Sequence, residues 1–263
     1  MPTLSNEPHR QRQMAESFGA DADRYDRTRP SYPDALIARL AAAGADVLDV
    51  GCGTGIAARQ FQAAGCRVLG VEPDARMAEL ARRTGIETEI ATFETWDPAG
   101  RTFDTVAAGQ AWHWVDPDAG AAKAARALRP GGRLAVFWNA FRLPSGLDEA
   151  VASVYRRAAP DSPIVMRAMS AAPNAYTPLN AAAADGMRRA GAFGEPEEWR
   201  FEWERHYTRD EWLEQVPTSG IHGRLSPEQQ EEVLAGIAAA IDAAGGDFTM
   251  GYTTVAAVAS RVR

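Results

Sequence analysis

Over the first half of the chain, short apolar runs alternate with amphipathic stretches. ADVLDVG, CRVLGVEP, IETEIAT, FDTVAAGQ and RLAVFWN each read as a strand. Between them, GIAARQFQAAG, DARMAELARRTG and DPDAGAAKAARALRPGG read as helices; Ile56, Ala57, Phe61 and Ala64 mark the apolar stripe of the first. Asp74 stands as N-cap and Gly85 as C-cap of the second. Upstream, Pro30 and Pro33 bracket a turn, and Asp34 opens a helix that Gly44 ends. Strand and helix in alternation, with short connections, predict a parallel sheet covered by helices on both faces. Such sheets bind ligands at the C-terminal ends of their strands.

After Asn139 the rhythm changes. Residues 140–190 are rich in alanine and proline, with helical pieces such as GLDEAVASVYRRAAP. FGEPEEWRFEWERHYT reads as a long strand, with Trp199, Phe201, Trp203 and Arg205 alternating against Arg200, Glu202 and Glu204. TRDEWLEQV reads as a capped helix. SPEQQEEVLAGIAAAIDAAGG is another, with Ser226 as N-cap and Pro227 at the first helical position, and DFTMGYTTVAAVASRVR closes as a strand. Four segments follow: a flexible tail at 1–15, a ligand-binding core at 16–139, a lid or acceptor-side insertion at 140–190, and strands and helices completing the sheet at 191–263.

The 263 residues suffice for one large domain, and 46% hydrophobic with 24% charged residues is ordinary for a globular chain. A net charge of -7 argues against a general nucleic-acid or anionic-membrane surface. Cys52 and Cys66 supply neither a disulfide framework nor a four-ligand zinc set, and both read as small fillers in a reducing compartment. The histidines are scattered without paired spacing, so no metal is expected. The polar N-terminus has no apolar signal region and no run reaches membrane-span length. These absences give a cytoplasmic expectation by default.

The chemistry concentrates in VLDVGCGTGIAARQ, where Gly51, Gly53 and Gly55 follow the first strand at every second position. Glycine there costs backbone entropy, so a close approach must need the missing side chains. A phosphate loop would need a lysine that this loop lacks, and a dinucleotide loop would have its third glycine one residue later. LDVGCGTG resembles the first motif of class I S-adenosylmethionine-dependent methyltransferases, in the metabolite-methylating branch that includes ubiquinone-biosynthesis-like and trans-aconitate-like enzymes. RPGGRLAVFWN matches that family's turn before its fifth strand, and the resemblance covers residues 18–139. It implies a Rossmann-like α/β fold: a seven-stranded, mostly parallel sheet with helices on both faces and a helical lid inserted after the fifth strand. It also implies S-adenosyl-L-methionine as cofactor and a small-molecule acceptor, with no nucleic-acid or membrane partner. Oligomeric state is left open.

The resemblance assigns a cofactor site to Asp49, Gly51, Cys52, Gly53 and Gly55, with Glu72 accepting both ribose hydroxyls from the tip of the second strand. Pro73 and Met77 would pack on adenine. Thr92 stands where the family usually has an acid, and Phe93 would offer its backbone N–H to the ring. Gln110 and Ala111 would lie beside the methionine part. Tyr25 and Arg29 belong to an N-terminal segment that folds over the cofactor in this branch; Arg29 either meets the cofactor's carboxylate or pairs with Asp23 or Asp26. On the acceptor side stand Trp112, Trp114, Asn139, Trp203 and Tyr207, the tail aromatics being equally readable as core. His113 is readable as a general base or as a residue that holds its loop by hydrogen bonding. An oxidoreductase on a similar sheet and a non-catalytic cofactor-binding protein remain as competing classes.

Overall fold

The computed structural model describes residues 18–42, 44–160, 162 and 176–262. The expected tail at 1–15 lies outside them. One seven-stranded sheet organises the chain, in the order β3-β2-β1-β4-β5-β7-β6. Strands β1 (Asp46–Val50), β2 (Arg67–Glu72), β3 (Glu87–Ile90), β4 (Phe103–Gly109) and β5 (Leu128–Arg142) pair in parallel. Strand β7 (Asp247–Ser260) runs antiparallel between β5 and β6 (Glu197–Thr208). This is the mostly parallel α/β sheet that the alternation predicted.

Both faces of the sheet are covered, which is why its central strands are apolar throughout. On one face, Val47 packs with Leu36, Ile37 and Leu40 of α2 (Asp34–Leu40) and Ala57 and Phe61 of α3 (Ile56–Ala63). On the other, Leu48 and Val50 pack with Ala124 of α5 (Pro117–Ala127) and Ala183 and Met187 of α7 (Thr177–Ala190). Leu48 and Val47 are fully buried, and each such side chain contributes about 1.5–3 kcal/mol by leaving water. Helix α4 (Ala75–Arg83) follows β2, with Asp74 accepting the N–H of Arg76 as its cap.

Strands β5, β6 and β7 continue well past the point where β4 stops. Gly109, the last residue of β4, pairs with Phe137, whereas β5 pairs with β7 as far as Arg142 and Gly251, and β6 with β7 as far as Thr208 and Asp247. A separate apolar cluster sits on this extension. It joins Tyr207, Phe248, Met250 and Tyr252 to helices α6 (Leu147–Ala158), α8 (Arg209–Gln215) and α9 (Pro227–Ala243). Both predicted capping arrangements are present: Thr208 with Glu211 on α8, and Ser226 with Gln229 on α9.

One helix was not anticipated, and two expectations need correction. The segment before Pro30 forms a helix, α1 (Ala22–Thr28), capped by Asp21, where the prolines had drawn attention only to a turn. Helix α2 stops at Leu40, and Gly44 lies in the turn beyond it with its N–H on the Gly65 carbonyl, because the chain must already swing toward β1 beside β2. The insertion at 140–190 is not a lid throughout. Helix α7 belongs to the sheet's own covering layer, where a Cβ at Gly186 would lie 2.6 Å from the Pro117 carbonyl of α5. The layer over the sheet extension combines α6 with α8 and α9, from beyond residue 190.

Candidate active site

The three glycines of the loop after β1 differ in what their missing side chains leave room for. A Cβ on Gly51 would come within 2.6 Å of the Ala111 Cβ, and its φ of +64° is left-handed. Gly55 starts α3, and a Cβ there would meet Ile86 at 3.2 Å and Ala81 at 3.5 Å. Only at Gly53, also left-handed at φ +56°, does a Cβ meet nothing within 4 Å. Gly51 and Gly55 thus serve close packing within the protein, and the open face is at Gly53. This narrows the sequence argument, which gave all three one purpose. The Cys52 thiol also turns inward, packing with Ala58, Ala81 and Ile86, so only its main chain stays at the loop.

Two buried carboxylates flank this corner. Glu72 at the end of β2 accepts the Gly53 N–H at 2.9 Å through Oε2 and the Asp74 N–H at 2.9 Å through Oε1. Each oxygen keeps a second lone pair. Burial pushes the Glu72 carboxyl up to about 7, the charge of Asp74 adding to it while the two backbone N–H groups oppose it. Asp49, on the neighbouring strand, is 1% exposed, and neither of its oxygens has a hydrogen-bond partner. Its carboxyl also rises to about 7, by burial first and then by the charge of Glu72; the nearby Ala58 N–H offsets this without reaching hydrogen-bond geometry. A buried carboxylate without a partner costs several kcal/mol if ionised. The corner is therefore electrostatically incomplete as it stands.

The N-terminal segment spans the corner. Gly19 lies against the Asp74 carboxylate, close enough that a Cβ would overlap it. Asp23 pairs with Arg83 at 2.9 Å and Asp26 with Arg59 at 2.7 Å, tying α1 to the helices after β2 and β1. At the other end Arg27 pairs with Glu214 of α8, Arg29 donates to the Thr218 carbonyl, and Arg205 of β6 donates to the Thr28 carbonyl at 3.4 Å. With Asp23 and Asp26 engaged elsewhere, Arg29 has no carboxylate partner among the described residues, and its Nε is buried without a partner. Its guanidinium lies 4.9 Å from the Tyr25 ring centre.

Around Glu72, Met77 is buried at the start of α4 and Pro73 is exposed. The Phe93 side chain is core, between Trp96 and Trp112 at ring distances of 6.2 and 6.0 Å. Thr92 bonds the Thr95 hydroxyl at 2.9 Å and closes its own turn. At the exit of β4, Gln110 adopts a left-handed φ of 56°, which costs a non-glycine residue about 1 kcal/mol or more. It is held there by its N–H on the Phe137 carbonyl at 2.8 Å and by Nε2 on the Asn139 carbonyl at 3.3 Å. The short helix Trp112–Trp114 follows.

Sequence similarity now bears on this corner. Residues 47–132, from the glycine-loop strand into β5, match the family model described as a methyltransferase domain. A structure from Anaeromyxobacter dehalogenans, described as that of a type II methyltransferase, is 27% identical and superposes with a TM-score of 0.64 over 89% of this chain and 97% of that one.

Residues 47–132 thus carry a likeness to the methyltransferase domain.

Among curated relatives, an uncharacterized methyltransferase of Mycobacterium tuberculosis is 40% identical over 131 residues, 49% of this chain and 54% of its own length. The malonyl-[acyl-carrier protein] O-methyltransferase of Enterobacter lignolyticus is 36% identical over 129 residues, 46% of this chain and 51% of its own. The chain thus spans about half the length of the curated relatives it matches.

Several acceptor-side expectations are revised by the geometry. Asn139 is 3% exposed and fully engaged, its Oδ1 accepting from the Thr254 hydroxyl at 2.6 Å and its Nδ2 donating to the Ser31 carbonyl at 3.0 Å. Tyr207 is wholly buried, sharing a 2.7 Å hydrogen bond with the Tyr252 hydroxyl. Trp112 is 3% exposed in the main core. These three side chains are engaged within the protein interior. Trp203 stacks on Tyr252 at 4.2 Å and donates to Thr254, and stays half-buried like Trp114. His113 loses the general-base reading: Trp138 Nε1 donates to its Nδ1 at 3.2 Å, so that lone pair is taken. Burial pushes its pKa down to about 4.

Two residues that the sequence reading passed over join the corner. Tyr32 is 8% exposed and edge-on to Phe137 at 4.7 Å; burial raises its phenol well above the ordinary range, with Asp49 close enough to add to the shift. Tyr176 stacks on Trp138 at 6.3 Å. Tyr32 sits in RPSYP, where the prolines had drawn the reading to turn formation. Tyr176 lies far along the chain, and only the fold brings it in. Among the described residues no group of three or more His, Cys, Asp or Glu can hold a metal ion, and no helix is long and apolar enough to cross a membrane.

Proposed function

We propose that this chain transfers a methyl group from S-adenosylmethionine to a small-molecule acceptor. The observation that carries the reading is the unpartnered buried Asp49 carboxylate beside Glu72 and the open face of Gly53. That donor and acceptor set fits the cofactor. Asp49 suits its ammonium group, the free lone pairs of Glu72 suit two adjacent ribose hydroxyls, and Arg29 suits its carboxylate. The side chain of Met77 and the main chain at Phe93 suit adenine. A phosphate-bearing dinucleotide would bring negative charge against two carboxylates, which disfavours the oxidoreductase alternative.

When bound, the cofactor supplies a methyl group already activated on a sulfonium centre. The protein has to hold an acceptor in line with that methyl and exclude water. The strap formed by α1 and the aromatic walls at Trp114 and Tyr176 suit that task. Aromatic faces tolerate a cation such as the sulfonium. A small acceptor agrees with the net charge of -7, which makes a nucleic-acid substrate a poor match.

Calorimetry with S-adenosylhomocysteine and with NADH, on wild type and Glu72→Ala, tests the cofactor assignment. The expected result is binding of the first ligand, none of the second, and a clear loss in the variant. NADH binding with no S-adenosylhomocysteine binding would end the proposal. A non-catalytic relative would bind the cofactor yet release no labelled methyl to any acceptor in a metabolite panel.

A further inference from the structure

The hydrogen-bonding state of His113 is dictated by a neighbour. An indole nitrogen only donates, so the 3.2 Å contact from Trp138 Nε1 requires a lone pair on His113 Nδ1. A neutral imidazole with its lone pair there carries its proton on Nε2. Trp138 is firmly placed: it is fully buried in the middle of β5 and stacked on Tyr176 at 6.3 Å. Nε2 has no partner among the described residues. It is also not one of the sealed polar atoms without a partner, as the Nε1 of the preceding residue, Trp112, is. The ring therefore turns an N–H away from Trp138 that is unpartnered and not fully sealed, two residues beyond Ala111, whose Cβ abuts Gly51.

From this geometry we infer that His113 is an acceptor-binding residue whose Nε2–H grips an oxygen of the substrate beside the atom that is methylated, with Trp138 as the positioning residue that fixes the tautomer. The inference rests on the methyl-transfer reading and adds a substrate class to it: a small molecule carrying a hydrogen-bond-accepting oxygen, such as a carboxylate or carbonyl. An ammonium or amide N–H at the same spot would face another N–H. A neutral donor also orients the acceptor without a second full positive charge beside the sulfonium, and burial keeps the imidazole neutral at pH 7. With a carboxylate acceptor the balance closes without a base. One carboxylate lone pair forms the C–O bond, the S–CH3 pair returns to sulfur, and no proton is released.

The test uses the full chain with 15N-labelled histidine, saturated with S-adenosylhomocysteine, in long-range 15N–1H spectra at pH 7. His113→Gln assigns the resonances by their disappearance. Wild type should show a single tautomer with unprotonated Nδ1 and protonated Nε2, and Trp138→Phe should shift it toward a mixture. Benzoate should move the Nε2–H resonance and benzylamine should not. Benzoate affinity should fall about tenfold in His113→Ala, the loss of one hydrogen bond to a charged oxygen, and recover in His113→Gln, whose amide reaches the Nε2 position. A proton on Nδ1, an imidazolium at pH 7, or no benzoate response at Nε2 would overturn the inference. Should Trp138→Phe fail to fold, the wild-type tautomer still decides. Absent S-adenosylhomocysteine binding would instead sink the cofactor proposal, so the two failures are distinguishable.

Discussion

Glutamine at position 72 changes the cofactor corner by one charge and one acceptor while keeping its volume. In the wild type each Glu72 oxygen holds a backbone N–H at 2.9 Å and offers one remaining lone pair to a ribose hydroxyl. Glu72→Gln turns one oxygen into an NH2 group, which accepts from neither. One lost hydrogen bond to a charged group is worth about 1.5–3 kcal/mol, so S-adenosylhomocysteine should bind on the order of 10- to 100-fold more weakly. The pH profile sharpens the test. The free carboxyl sits at about 7, above the ordinary 4.5, so its contribution to stability is fully present below the ordinary value and lost as pH rises through 7. Ligand binding runs the other way, because hydroxyls and an ammonium group need the carboxylate. Wild-type affinity should therefore climb from pH 5.5 and level off above 7, by roughly 30-fold for one displaced proton. Calorimetry in two buffers of different ionisation enthalpy reads that proton release directly. Glu72→Gln should release fewer protons and show a flatter profile. A variant that matches wild type in both affinity at pH 8 and proton release at pH 6 would refute the reasoning.

The two loop glycines with contrasting surroundings should fail differently. Gly51→Ala drives a methyl against Ala111 and should lower the melting temperature sharply. Gly53→Ala meets no protein atom and should cost only about 1–2 kcal/mol of backbone strain while abolishing detectable S-adenosylhomocysteine binding. Asn139→Ala strands the Thr254 hydroxyl and the Ser31 carbonyl and should destabilise by about 2–3 kcal/mol in denaturant titration; an unchanged midpoint would return Asn139 to the acceptor side. Arg29→Lys keeps the charge but loses the forked donor, and should weaken S-adenosylhomocysteine about tenfold in calorimetry with little change in thermal midpoint.

The meeting of the glycine loop with Glu72 was more legible in the sequence than the surroundings of the tail aromatics, for physical reasons. A strand followed by glycines at fixed spacing is local, and so is an acid at the next strand's tip; Gly53 and Glu72 meet because β1 and β2 are adjacent parallel strands. What spacing does not reveal is which neighbour fills the room a glycine leaves. Ala111, sixty residues along the chain, takes the space at Gly51. Aromatic alternation on β6 marked Tyr207 and Trp203 as inward-facing, and they are, but against Tyr252 and not an open pocket. His113 stood out as the histidine at the exit of the fourth strand. Its donor state depends on an indole from β5, a contact between residues 25 apart that no local pattern encodes. Helix α1 escaped notice because its apolar face is short and its attachments are ion pairs to three other helices.

The reach of β5, β6 and β7 beyond the rest of the sheet works as a cantilever. Its root is continuous with the wall of the cofactor corner, while its free end carries a cluster with an apolar interior of its own. Helices bolted to that free end can be lengthened, swapped or recut without disturbing the carboxylates at the root. A chain built this way can trade one ligand at the free end for another in evolution while keeping the same carboxylate corner at the root.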